Sequence, residues 1–127
     1  MPNILVIDDE APIRETLKEI LEYENFDVTL AENGEKGWQL IQKNDFDVIL
    51  CDVKMPGIDG VELLERVQAV KPEIPMVMIS GHGNVEMAIE STKKGAFDFI
   101  TKPPELNRLL ITLRNAIDRN NLVVETT

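Results

Sequence analysis

Four short apolar runs punctuate the chain, and each leads into polar residues. Ile4-Leu5-Val6-Ile7 leads into Asp8 and Asp9, and Val48-Ile49-Leu50-Cys51 into Asp52. Met76-Val77-Met78-Ile79 leads into Ser80, and Phe97-Asp98-Phe99-Ile100, with Thr101 between, into Lys102. The first three runs are apolar without alternation, the pattern of strands covered on both faces. A further strand, Val28-Thr29-Leu30, is shorter and more mixed. Between the strands lie stretches with helical spacing. Ile13, Leu17, Ile20 and Leu21 stripe a helix that starts near Ala11, with Pro12 in its first turn, where a missing N–H does no harm. A second helix is predicted from about Gly34 to Gln42. A third presents Val61, Leu64 and Val67 after the turn-rich loop Met55-Pro56-Gly57-Ile58-Asp59-Gly60. The fourth runs from Val85 to Lys93, with Asn84 as its N-cap and Gly95 as its terminator. Its stripe of Val85, Ala88, Ile89 and Thr92 leaves Met87 to one side. The fifth buries Leu106, Leu110, Leu113 and Ile117, and Ile111 then falls about 140° from Leu106, toward solvent.

Five strand–helix units in series predict an α/β architecture, a doubly wound five-stranded parallel sheet with helices on both faces. The mixed second and fifth strands suit the edges, which agrees with the strand order 2-1-3-4-5. Residues 1–119 read as one domain. Residues 120–127 lack a clear fold signal and read as the start of a linker or a trailing segment.

Composition narrows the function. The 127 residues carry a formal net charge of −10. Such a surface is repelled by nucleic acid and by anionic membranes, so direct contact with either is not expected. Cys51 is the single cysteine and excludes an internal disulfide; its place inside an apolar run marks it as a buried bystander. No apolar stretch approaches the ~20 residues of a membrane span. A strand begins within a few residues of Met1, which leaves no room for a signal peptide, and a cytoplasmic protein is expected.

If the runs are parallel strands, Asp8, Asp9, Asp52, Ser80 and Lys102 all meet at the carboxyl edge of one sheet, where open α/β sheets bind ligands. Two carboxylates about 5 Å apart repel by roughly 3 kcal/mol at an effective dielectric of about 20. Such a cluster needs a cation, and a hard, oxygen-only site suits Mg²⁺. Taken alone, Asp8-Asp9 also reads as a solvated turn or a helix cap, Lys102 as a surface lysine and Ser80 as a turn serine. Together they suit phosphoryl transfer, in which positive charge and donors must surround the transferred group. Asp52, held at a strand end, is the nucleophile that would form an acyl phosphate. A cation on Asp9 and Asp52 covers one phosphoryl oxygen, Lys102 a second, and Ser80 with loop N–H groups the third.

This constellation resembles the response-regulator receiver domain of two-component signalling, a flavodoxin-like (βα)5 fold, and the resemblance runs from Ile4 to about Arg119. Its motifs are Asp8-Asp9, the segment Asp52-Val53-Lys54-Met55-Pro56-Gly57-Ile58-Asp59-Gly60, Ser80-Gly81 and Lys102-Pro103. The resemblance implies that Asp52 takes a phosphoryl group from a sensor histidine kinase phosphohistidine. It implies that Asp8, Asp9, Asp52 and the backbone carbonyl of Lys54 hold Mg²⁺, and that Ser80 and Phe99 form a switch pair. It also implies a cis Lys102–Pro103 bond, and places Lys54 and His82 at positions that modulate dephosphorylation. Beyond assisting its own phosphorylation and dephosphorylation, such a domain is not an enzyme. The output face would be helix 4, strand 5 and helix 5, supporting a homodimer with Met87 and Ile111 in the interface. Ile79-Ser80-Gly81-His82-Gly83-Asn84 and Lys94-Gly95-Ala96-Phe97-Asp98-Phe99-Ile100 resemble receivers of nitrogen-regulation-type activators that work with sigma-54 polymerase. Such proteins continue into ATPase and DNA-binding domains that this chain lacks. Pro104 stands where the family usually has Phe, and the switch aromatic, Phe99, lacks the hydroxyl of Tyr.

Other readings fit less well. A haloacid-dehalogenase-type aspartyl phosphatase would place a second Asp two residues after the nucleophile, where Lys54 stands. A flavodoxin-type binder needs a first loop that cradles phosphate, but Asp8-Asp9-Glu10 repels one. No G-x-x-x-x-G-K-[ST] loop occurs. A stand-alone receiver acting by protein–protein contact remains an alternative to one joined to an output domain.

Overall fold

In the computed structural model, residues 1–81 and 85–126 are described, those from 119 onward as backbone alone. His82 and Asn84, expected near the site and at a helix cap, lie outside the described residues. Strands β1 (Asn3–Ile7), β2 (Asp27–Ala31), β3 (Val48–Asp52), β4 (Met76–Ser80) and β5 (Asp98–Thr101) alternate with helices α1 (Ala11–Tyr23), α2 (Gly34–Lys43), α3 (Gly60–Val70), α4 (Val85–Lys93) and α5 (Leu106–Thr126). The strands form one parallel sheet in the order β2-β1-β3-β4-β5.

The unbroken apolar runs follow from the winding. Successive strand residues point to opposite faces, and both faces are covered. Leu5, Ile7, Ile49, Cys51, Met76 and Met78 join one core with Ile41 of α2, Leu63, Leu64 and Val67 of α3 and Ala88 of α4. Ile4, Val6, Val48, Leu50, Val77 and Ile79 join a second core with Leu17 and Leu21 of α1 and Leu109, Leu113 and Ala116 of α5. The edge strands β2 and β5 are only partly covered, which explains their mixed composition. Side-chain caps start the helices where the turns demand it: Lys36 N donates to Asn33 Oδ1 (2.7 Å) and Glu62 N to Asp59 Oδ1 (2.8 Å).

Three expectations about helix faces are corrected. In α5 the buried stripe is Leu109, Thr112, Leu113, Ala116 and Ile117, whereas Leu106 is 46% exposed and Leu110 half-buried. The segment is apolar on several sides, so spacing alone permitted two rotations, and docking on the sheet selected one. Ile111 is exposed, as expected. In α4 the helix approaches the sheet through the small residues Ala88 and Ser91, both fully buried, with Ser91 Oγ donating to Ala88 O at 2.6 Å. Met87 packs half-buried against the core, and Val85 and Ile89 are left outside. In α3 Leu63 takes a buried place and Val61 is only half-buried. The backbone of residues 120–126, where no fold signal was read, continues α5.

Candidate functional site

The carboxyl edge of the sheet gathers the acidic residues. Asp8 follows β1 and is held by its N–H donating to Ala31 O (3.2 Å); Asp52 ends β3. Lys102 follows β5 and donates its backbone N–H to Ser80 O (2.8 Å). Strand ends are rigid supports, so these side chains project from fixed positions. Asp8 and Asp52 are buried, Asp9 is exposed, and the three offer carboxylate oxygens that all lie within 4.8 Å of one another.

One ammonium faces this cluster. Lys102 Nζ lies 3.0 Å from Asp8 Oδ2, from Asp52 Oδ2 and from Glu10 Oε2. The contacts to Asp52 and Glu10 are hydrogen bonds. The contact to Asp8 is an ion pair without hydrogen-bond geometry, and the buried Asp8 Oδ2 has no hydrogen-bond partner among the described residues. The other oxygen, Asp8 Oδ1, accepts from Glu10 N (2.9 Å), and Asp52 Oδ1 accepts from Lys54 N (3.4 Å). Burial raises the Asp8 carboxyl above its ordinary value, despite the Glu10 N–H and the adjacent ammonium. Burial likewise raises Asp52, with the Asp8 charge adding to it and Lys102 opposing. For Lys102, burial works downward, but the carboxylates of Asp8, Asp52 and Glu10 win and raise it. Cys51 is buried and its thiol is pushed well up by burial and by the charges of Asp52 and Asp8, so it is a bystander.

The donor set fits a hard divalent cation: among the described residues, three carboxylates converge, one buried oxygen lacks a hydrogen-bond partner, and a single ammonium cannot balance the charge. Lys54 is exposed and follows Asp52 by two residues, so its backbone lies beside the cluster. Two glycines let the β3–α3 loop close over this edge. Gly60 lies so close to Asp52 O that a Cβ would sit 2.3 Å from it, and Gly57 adopts φ +76° with Glu35 where a side chain would point. A cleft of 480 Å³ opens beside Asp9, lined also by Arg14, Glu32, Asn33, Glu35, Pro56 and Gly57.

Not every expected residue joins the cluster. The Ser80 hydroxyl, fully buried, donates to Gly81 O (3.2 Å), with Ser80 O holding the Lys102 backbone. Phe99 is half-buried against the first core, pairs in register with Met78, and accepts from Arg108 Nη2 at its carbonyl (3.3 Å). The Lys102–Pro103 bond is cis, as expected. Two residues were missed from sequence: Glu10, on Lys102, and Arg14, whose Nη1 donates to Asp8 O (2.7 Å). The available signal was that Glu10 directly extends the Asp8-Asp9 pair and Arg14 lies one helical turn beyond it.

Comparison with known proteins agrees with this geometry. The transcriptional regulatory protein FixJ of Bradyrhizobium diazoefficiens is 39% identical over 115 residues, covering 91% of this chain and 56% of FixJ. The C4-dicarboxylate transport transcriptional regulatory protein DctD of Rhizobium meliloti is 32% identical over 124 residues, covering 98% of this chain and 27% of DctD. The chain thus spans about a quarter of DctD and just over half of FixJ. A response regulator receiver domain protein from Clostridium thermocellum superposes with a TM-score of 0.93 at 34% identity, covering 97% of this chain and 99% of that one. NtrX from Brucella abortus, in complex with ATP, superposes with a TM-score of 0.92 at 35% identity over 98% of this chain and 29% of NtrX. Residues 4–114 match the family described as the response regulator receiver domain, and the chain belongs to that family.

Proposed function

We propose that Asp52 accepts a phosphoryl group from the phosphohistidine of a sensor histidine kinase. The observation that carries this reading is the convergence of Asp52 with Asp8, Asp9 and Lys102 at one sheet edge. An Asp52 carboxylate oxygen attacks phosphorus, an O–P bond forms, the P–N bond to the donor imidazole breaks, and the imidazole leaves with a proton. Asp8, Asp9 and Asp52, with the backbone carbonyl of Lys54, would hold Mg²⁺, which when bound offsets negative charge on the transferred group. Lys102 follows the charge that develops on the phosphoryl oxygens. Ser80 and Phe99 then carry the change toward α4, β5 and α5 as a shift between pre-existing states.

The output side of this reading rests on the exposed apolar residues there. Ile111 is 60% exposed, Ile89 43% and Val85 40%, which suits a homodimer contact that phosphorylation strengthens. Met87, half-buried, would contribute mainly through its neighbours. The likeness to DctD and NtrX supports an output in sigma-54-dependent transcription, executed by ATPase and DNA-binding domains of a longer protein. Lys54 and His82 would modulate dephosphorylation.

Incubation with acetyl phosphate and Mg²⁺ should add one phosphoryl mass to the intact protein, and Asp52→Asn should abolish the addition. Persistence of phosphorylation at wild-type rate and stoichiometry in the variant would overturn the assignment. Sedimentation with and without beryllofluoride tests the dimer: Ile89→Asp and Ile111→Asp should each weaken the activated association, and a variant pair that associates like wild type places the contact elsewhere.

A further inference from the structure

Glu10 occupies the N-cap position of α1, yet its carboxylate does not cap the helix. Asn33 and Asp59, at the N-caps of α2 and α3, both accept from their helices. Glu10 instead reaches across 92 residues of sequence to Lys102, with Oε2 and Nζ 3.0 Å apart. Of the three carboxylates on that ammonium, Glu10 alone stands outside the acidic trio that suits a cation. It is also the solvent-side one: its side chain is 55% exposed, against 0% for Asp8 and 7% for Asp52. The contact therefore holds the ammonium from its solvent side while the same Nζ hydrogen-bonds Asp52.

Resting on the phosphoacceptor reading above, we propose that Glu10 is a positioning residue that tethers Lys102 in the unmodified domain and sets how readily Asp52 is modified. A phosphoryl group on Asp52 must recruit the same ammonium. Glu10 competes for it, because one Nζ has three protons to donate and already serves carboxylates on three sides. Its charge adds to the effect: Glu10 Oε2 and Asp52 Oδ2 lie no more than twice the 3.0 Å contact distance apart. A unit charge about 6 Å away in near-aqueous surroundings changes the affinity for a monovalent anion about threefold. Field and tether both oppose an incoming anion.

The test compares wild type, Glu10→Gln and Glu10→Asp. Glu10→Gln removes the charge. Glu10→Asp keeps it on a side chain one methylene shorter, which lengthens the gap to Lys102. Beryllofluoride affinity is read by titration, phosphorylation by acetyl phosphate from intact mass, and the Lys102 side chain from its ¹⁵N resonance without Mg²⁺. Glu10→Gln is expected to bind beryllofluoride and accept phosphate about three- to tenfold better. Glu10→Asp should shift in the same direction, and both should move the Lys102 resonance while leaving the denaturation midpoint near wild type. If Glu10→Asp matches wild type while Glu10→Gln improves, only the field acts and the tether is wrong. If wild type responds to beryllofluoride and both variants respond equally, the proposal fails while the phosphoacceptor reading stands. A wild-type domain that takes neither beryllofluoride nor phosphate sinks both.

Discussion

Replacing Asp8 with asparagine should stabilise the cation-free domain, although it removes a charge that an ammonium contacts. The Asp8 carboxyl is fully buried, and its ionised form sits within 4.8 Å of the Asp52 carboxylate. That pair repels by about 3.5 kcal/mol at an effective dielectric of about 20. Lys102 at 3.0 Å returns about 5.5 kcal/mol on the same scale, but it is shared with Asp52 and Glu10 and keeps both partners in the variant. Burial of the ion costs several kcal/mol more, in keeping with a carboxyl that burial raises above its ordinary value. The amide oxygen of the introduced asparagine would still accept from Glu10 N. The expected gain at pH 7 is about 1–2 kcal/mol, or a rise in Tm of about 3–8 °C for a domain of this size.

The pH dependence has a definite sign. Because the folded-state value of Asp8 lies above the ordinary 3.8, the folded protein holds a proton that the unfolded chain has already released. The Asp8 contribution to wild-type stability therefore falls as pH rises from 3.8 through the folded value, and is constant above it. Asp8→Asn lacks that slope, so its advantage should be absent at the acid end and complete at neutral pH. Mg²⁺ should narrow the variant's advantage. At ten times its Kd a ligand adds about 1.4 kcal/mol, and wild type should collect more of this than a variant missing one carboxylate. The assay is urea unfolding of both proteins in EDTA and in Mg²⁺, across the pH range. A variant less stable than wild type in EDTA at pH 7, or an advantage indifferent to both pH and Mg²⁺, would refute the electrostatic argument.

Three further outcomes test the rest of the site and the core. Asp9→Ala should weaken Mg²⁺ binding at least tenfold, read by titration of Trp38 fluorescence or by NMR, because it removes an exposed carboxylate from the trio; unchanged affinity means that Asp9 is not a ligand. Lys102→Ala should lose about 1–3 kcal/mol in EDTA, since it leaves buried carboxylates without their cation. It should recover part of this in Mg²⁺, yet show no beryllofluoride-induced shift in its NMR spectrum, and a wild-type shift would remove Lys102 from the switching path. Leu109→Ala should cost about 2–5 kcal/mol, whereas Leu106→Ala should cost well under about 1 kcal/mol, measured by denaturation; equal costs would contradict the rotation of α5.

The alternation of strand and helix, the strand order and the identity of the acidic cluster were legible without coordinates. Their causes are local. Runs such as Ile4–Ile7 and Val48–Cys51 are apolar at every position because each strand feeds two cores, and a polar residue ends each run where the strand leaves those cores at the carboxyl edge of the sheet. Asp8, Asp52 and Lys102 therefore had to share one edge once the strands were parallel. Helix rotation was not legible in α4 and α5. Apolar residues at Val85, Met87, Ile89, Leu106 and Ile111 satisfy more than one face, and only the fit against the sheet, through Ala88, Ser91 and Leu109, selects the buried one. The choice Glu10 makes between capping α1 and pairing with Lys102 was also hidden. Both options use a carboxylate at the same sequence position, and the distance to a residue 92 positions away exists only after the sheet has closed.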